Sequence, residues 1–194
     1  MSRLLLGGEK MKEKMILIAG RTGAGKDTFA SMLREMGMKG VVSYTTRKKR
    51  YETENTHIFI SKDEADKITD KVATTQIGEY EYFATRSQLE EADFYIVDPN
   101  GIEELKQNCP DIDFKIVYIY SDFDIRKQRA LKRSENPDEL KVFISRNMDE
   151  MRQFIQFEND LCLQKNLTVL RNETEKDMQT LKKEAEIIYT ACQN

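Results

Sequence analysis

The sequence predicts an α/β fold. A central parallel sheet is covered by helices on both faces, with a small lobe inserted after the second strand. Three observations carry this reading. Short apolar runs alternate with stretches of helical periodicity along most of the 194 residues. Those runs are continuously apolar rather than alternating, as strands buried on both faces are. The alternation is interrupted over 46–86, where hairpin signals take over.

Met15-Ile16-Leu17-Ile18-Ala19, closed by Gly20, reads as the first strand. Phe29, Ala30, Leu33 and Met36 then recur at helical spacing up to Gly37. Val41–Thr45 is β-branched and short, a second strand, and His57–Ile60 is a third. Ser61 is placed to cap a polar helix running to about Asp70. Val72–Gln76 and Glu79–Phe83 flank Ile77-Gly78 as a hairpin. Phe94–Val97 is a buried strand, followed by Asp98-Pro99-Asn100-Gly101 and a helix that stops near Pro110. Phe114–Tyr120 is a strong strand, and the pattern is helical from Asp122 to about Arg133. Ser134-Glu135-Asn136-Pro137 breaks it. A long helix follows from about Asp138 to Lys165, then a last strand at Leu167–Leu170 and a final helix from Thr174 to about Ala191. Residues 1–13 read as a flexible arm and 14–194 as one domain. Its core is about 14–45 and 92–194, with the lobe at about 46–86.

Composition narrows the function. The chain is 39% hydrophobic and 34% charged with net charge −3, which excludes a protein held to nucleic acid by its overall field. Leu4-Leu5-Leu6 is too short for a signal peptide, and no run approaches a membrane span. A cytoplasmic protein without membrane or nucleic-acid partners, a monomer or homodimer, is expected. Cys109, Cys162 and Cys192 form no CxxC pair, and His57 is the only histidine, so reduced thiols fit better than disulfides or a zinc site. No Ser-His-Asp or Cys-His set competes as a catalytic centre.

Gly20-Arg21-Thr22-Gly23-Ala24-Gly25-Lys26 has the GxxxxGK pattern of a phosphate loop, and it lies between a strand and a helix as that motif requires. Glycines let successive N–H groups turn inward as an anion nest, and the helix adds its positive end. Lys26 supplies a mobile charge for β- and γ-phosphates. These residues predict ATP binding. The position after Lys26 is Asp27 rather than Ser or Thr, with Thr28 next; both are oxygen donors suited to magnesium. A second anion site is written in Ser43-Tyr44-Thr45-Thr46-Arg47-Lys48-Lys49-Arg50, where four cations follow a strand. Arg47 and Arg50 are spaced to fork around one phosphate.

Together these two motifs resemble the guanylate kinase family of P-loop nucleoside monophosphate kinases. The resemblance covers about residues 15–190 and implies a nucleotide-binding lobe at about 46–86 and a helical lid near 130–145. In that family S-x-T-T-R-x-x-R holds the acceptor phosphate, and Ser43, Thr45, Thr46, Arg47 and Arg50 match it. His57 stands two residues before Phe59, where the family has a tyrosine that touches the same phosphate. Gly78-Glu79-Tyr80-Glu81-Tyr82-Phe83-Ala84-Thr85 looks like G-x-x-Y-G-[ST], which would make Tyr82 the phosphate tyrosine and Thr85 the base-contacting hydroxyl. Asp98 falls in a D-x-x-G stretch beside the ligand crevice. Arg126, Arg129 and Arg133 share a helix face; Arg129, Arg133 and Arg146 match the family's arginines that reach the transferred phosphoryl group. Arg171-Asn172 occupies the adenine-side loop. Ala73-Thr74-Thr75-Gln76 departs from the family, which has a guanine-pairing glutamate there.

The resemblance implies transfer of the ATP γ-phosphoryl group to GMP or dGMP, with Mg2+. Lys26, Arg47, Arg129, Arg133 and Arg146 would be catalytic. Ser43, Arg47, Arg50, His57, Tyr82, Thr85 and Asp98 would bind the acceptor. Two alternatives stay open: a P-loop kinase acting on another nucleotide or small phosphorylated metabolite, and a non-catalytic binding module of the same fold.

Overall fold

A computed structural model describes residues 14–49, 51–133 and 138–193. The expected arm at 1–13, Arg50 and part of the expected lid lie outside the described residues, as does the side chain of Arg133.

Two four-stranded sheets organise the described residues. The central sheet has the order β6-β1-β7-β8, formed by β1 (Lys14–Ala19), β6 (Phe94–Ile96), β7 (Asp113–Tyr120) and β8 (Leu167–Arg171). All three of its pairings are parallel. Strict alternation along β1 sends its side chains to opposite faces. Met15, Leu17 and Ala19 join one core, with Ile102 and Leu105 of α4 (Pro99–Asn108) and Phe154 and Phe157 of α6 (Asp138–Asn159). Ile16 and Ile18 join the other, with Phe29 and Leu33 of α1 (Lys26–Glu35) and Leu181, Ala185 and Ile188 of α7 (Glu175–Gln193). Each fully buried Leu, Ile or Phe contributes about 1.5–3 kcal/mol of transfer free energy. The three-layer α/β architecture read from the apolar runs is the one observed.

The second sheet has the order β3-β2-β5-β4, built from β2 (Tyr44–Thr45), β3 (Ile58–Phe59), β4 (Lys71–Ile77) and β5 (Tyr80–Thr85). Here the structure corrects one expectation: Val41–Thr45 is not a strand of the central sheet. The chain passes β6 with a single bridge, Gly40 to Phe94, in which the Val41 amide donates to the Phe94 carbonyl and the Phe94 amide to the Lys39 carbonyl. Tyr44 and Thr45 then pair with β3 and β5. Gly40 permits the passage, because a Cβ there would sit 2.6 Å from the Phe94 ring.

The polar helix after Ser61 is shorter than expected, α2 (Lys62–Ala65), but Ser61 and Glu64 form the capping box that starts it. The structure adds α3 (Arg86–Glu91), capped by Thr85 and Gln88 in the same way. α5 (Phe123–Arg133) and α6 lie on either side of residues 134–137. α6 ends at Asn159 and a 3-10 turn follows at Leu161–Leu163, where the sequence reading ran one helix to Lys165. Among the described residues no helix is long and apolar enough to cross a membrane.

Candidate nucleotide-binding site

The phosphate loop leaves the carboxyl end of β1 and enters α1 at Lys26. Two glycines are forced by contact. A Cβ on Gly20 would lie 2.4 Å from the Ile119 carbonyl oxygen, and one on Gly25, at φ 106°, would lie 2.1 Å from Asn172 Nδ2. The loop is braced through its carbonyls. Arg126, 4% exposed, donates from Nη1 to the Thr22 carbonyl at 2.9 Å and to Asn147 Oδ1, and from Nε to the Ser121 carbonyl. Asn172 Nδ2 donates to the Ala24 carbonyl at 2.8 Å. Arg129 donates to the Asn172 carbonyl at 2.7 Å, to Ser121 Oγ at 3.1 Å and to the Gly23 carbonyl at 3.4 Å. A trans peptide carries its N–H opposite its C=O. Holding carbonyls on one side therefore turns amides to the other, which is what an anion nest needs. Lys26 Nζ folds back onto the Gly20 carbonyl at 2.6 Å and the Arg21 carbonyl at 3.3 Å.

α6 also reaches this loop. Glu150 accepts from the Thr22 amide at 2.8 Å and from Thr22 Oγ1 at 3.1 Å, so a carboxylate already sits on a loop N–H. Arg21 grips Glu158 with two bonds, at 2.7 and 2.8 Å, and the Tyr118 hydroxyl donates to the same carboxylate. Burial pushes the Glu158 carboxyl up, but the bonds from Arg21 and Tyr118 outweigh it and hold the group below the usual carboxylate range. Burial, then the hydrogen bond to Glu158 and its charge, raise the Tyr118 phenol. Burial lowers Arg126 below its ordinary value.

The second cluster sits on the small sheet. Ser43 Oγ lies 2.9 Å from His57 Nδ1. The His57 ring meets Tyr82 edge-on at 5.5 Å. The Tyr82 hydroxyl accepts from Arg47 Nε at 3.2 Å. Arg47 lies over the Phe59 ring at 5.2 Å and bonds Glu54 with both Nη atoms. Those Glu54 bonds come first among the causes that raise the Arg47 pKa.

Asp98 joins the two sheets. It follows β6, which neighbours β1, so it stands at the same carboxyl edge as the phosphate loop. Its Oδ1 caps α4 at the Gly101 amide (2.8 Å), and its Oδ2 accepts from Thr75 Oγ1 of β4 (2.9 Å). A bulge between Val72 and Thr75, with Ala73 at φ 51°, re-aims that stretch of β4. The Thr74 amide then donates to Glu104 Oε2 at 2.7 Å.

The structure thus brings together Ser43, Arg47, His57 and Tyr82, and separately the loop with Lys26 and Arg129. Thr85, expected at the base, is 6% exposed and its hydroxyl oxygen caps α3. Asp27 and Thr28 are exposed in the first turn of α1, and Arg146 is exposed on α6. Sequence reasoning missed Glu54, Glu150 and Glu158, which pair with site residues across 7, 128 and 137 positions of chain. It also set Arg126 aside, although the i, i+3 spacing with Arg129 puts both on one face.

A glycine-rich loop between a strand and a helix at the carboxyl edge of a parallel sheet defines a P-loop nucleotide-binding fold. A family model described as an AAA domain matches residues 16–155, and the chain belongs to that family. No curated protein matches. Among solved structures, guanylate kinase from Anaplasma phagocytophilum is similar, with a TM-score of 0.59 at 15% sequence identity, over 95% of this chain and 88% of that one. The resemblance read from the two phosphate motifs therefore holds at the level of the fold.

Proposed function

We propose that this chain is an ATP-dependent nucleoside monophosphate kinase that uses GMP or dGMP as acceptor. One observation carries the reading. The Asp98–Thr75 bond ties the edge that bears the phosphate loop to the sheet that bears Arg47, His57 and Tyr82. Two expected anion sites on sheets joined in this way suit phosphoryl transfer between two nucleotides.

An acceptor phosphate oxygen forms the new bond to the γ-phosphorus, and the bond to the bridging β–γ oxygen breaks. ADP leaves with that electron pair. The acceptor is already ionised at neutral pH, so no base is required. Catalysis is positioning and charge neutralisation. Loop amides and Lys26 hold the donor, and Lys26 must leave the Gly20 and Arg21 carbonyls to do so. Arg47, Arg50, His57 and Tyr82 hold the acceptor. Arg146, together with Arg133, is assigned to the transferred phosphoryl group, and Arg129 keeps the loop in shape. Among the described residues no group of three or more His, Cys, Asp or Glu gathers for a metal. Magnesium carried on the nucleotide needs only one or two protein oxygens, and Asp27 with Thr28 fits that need. When bound, magnesium neutralises the donor phosphates.

A coupled assay across nucleoside and deoxynucleoside monophosphates tests the reading. Turnover highest with GMP or dGMP is expected. Turnover confined to another acceptor would favour the second reading, a P-loop kinase of different substrate. The lack of a carboxylate in Ala73-Thr74-Thr75-Gln76 and the histidine at 57 support that reading. Calorimetry showing no binding of ATP with magnesium would leave only a binding module.

A further inference from the structure

We propose that Glu54 is a positioning residue for the acceptor phosphate, acting through Arg47 to aim the Tyr82 hydroxyl proton into the acceptor site. The inference rests on the kinase reading above. Glu54 lies on the segment between β2 and β3 whose neighbours are mostly exposed, yet its own exposure is 2%. A buried carboxylate costs several kcal/mol unless it is paired and hydrogen-bonded. Here Oε1 accepts from Arg47 Nη2 at 2.8 Å and from Thr56 Oγ1 at 3.3 Å, and Oε2 accepts from Arg47 Nη1 at 3.2 Å.

The consequence for Arg47 follows from counting donors. A guanidinium has five N–H bonds and no acceptor. Nη1 uses two, on Glu54 and on the Lys48 carbonyl. Nη2 uses one on Glu54, and Nε uses one on Tyr82. One Nη2 N–H is left, so Arg47 cannot offer a phosphate a two-pronged fork while Glu54 holds it. Its larger effect is on Tyr82. The phenol oxygen accepts from Arg47, and a guanidinium accepts nothing in return, so the hydroxyl proton points elsewhere. His57, edge-on to that ring with Nδ1 committed to Ser43, turns Nε2 away from Ser43. The Tyr82 O–H and the last Nη2 N–H are then donors set in advance for an anion. Arg47 then supplies at most one prong of the fork expected of Arg47 and Arg50.

Steady-state kinetics on the full chain, with whichever monophosphate it turns over best, test the proposal. Glu54→Gln keeps the shape but faces Arg47 with an amide N–H₂. It is expected to raise the acceptor KM about tenfold or more while the ATP KM stays within about twofold. The double variant Arg47→Met with Glu54→Leu replaces a buried pair by apolar groups, a change often neutral for stability. Its acceptor KM is expected to stay high at an unchanged melting temperature, and adding Tyr82→Phe should cost it no more than about twofold, although Tyr82→Phe alone is costly. An acceptor KM near wild type in Glu54→Gln overturns the proposal. So does wild-type acceptor binding in the double variant, which would make the pair purely structural. If Glu54→Gln does not fold, the double and triple variants carry the test. A wild-type chain that turns over no monophosphate defeats the kinase reading itself, which is a separate result.

Discussion

At Gly25 a single methyl group decides whether the loop keeps its shape. A Cβ would meet Asn172 Nδ2 at 2.1 Å, and φ 106° disfavours any L side chain. Gly25→Ala is expected to destabilise the chain by about 1–3 kcal/mol and to abolish ATP binding, measured by thermal melting and calorimetry. Lys26→Ala is different: its ammonium binds the Gly20 and Arg21 carbonyls and sets no backbone turn, so the fold should persist while turnover falls at least a hundredfold. Full activity in that variant would contradict its assigned role. Asp98→Ala loses a helix cap, worth about 1 kcal/mol, and also the partner of Thr75. Its acceptor KM should therefore rise alongside a drop of about 2–4 °C in melting temperature. A melting shift with an unchanged KM would reduce Asp98 to a cap.

Among the elements, α6 is the one whose role the primary structure concealed. Phe143, Phe154 and Phe157 pack inward, whereas Ile144, Met148, Met151 and Ile155, equally apolar and at helical spacing, stay exposed, so the periodicity alone did not mark its buried face. Its acidic residues were no more legible, because Glu150 and Glu158 look like the solvated side of any amphipathic helix. Glu150 takes a loop amide that lies next to the nucleotide phosphates in the proposed reaction, so carboxylate and triphosphate compete. Glu150→Gln is expected to tighten binding of a non-hydrolysable ATP analogue about three- to tenfold by calorimetry, since a bond to a charged acceptor is worth about 1.5–3 kcal/mol and solvent screens part of it. Weaker binding would mean that Glu150 orders the loop for its ligand. The element starts were easier to read: Ser61 with Glu64, and Asp98 before Pro99, are local signals. Thr85 with Gln88 was equally local and yet hidden, because the same threonine fitted a motif.

On the scale of the whole molecule, the Arg21–Glu158–Tyr118 set fastens α6 across the sheet to the loop. The Glu158 carboxyl is held below its unfolded value of about 4.3. A depressed carboxylate contributes stability above that pH, and the contribution is lost as pH falls through the folded value. Melting temperature should thus fall as the pH is lowered from about 5 toward 3, and Glu158→Gln should flatten that part of the curve. An identical acid profile in the variant would place the acid sensitivity elsewhere.

The sequence by itself determined the central parallel sheet and the phosphate loop, because both depend on short-range pattern: buried runs of five or six residues, and glycines at fixed offsets before Lys26. The family resemblance also grouped Arg47, His57 and Tyr82 as expected acceptor-binding residues, and the structure brings their side chains together. Only the tertiary structure decided which charges are joined. Glu54 with Arg47, Glu150 with Thr22 and Glu158 with Arg21 are pairings made by the packing of separate elements. The energy of an ion pair depends on distance and burial in space, and neither is written in the order of residues along the chain.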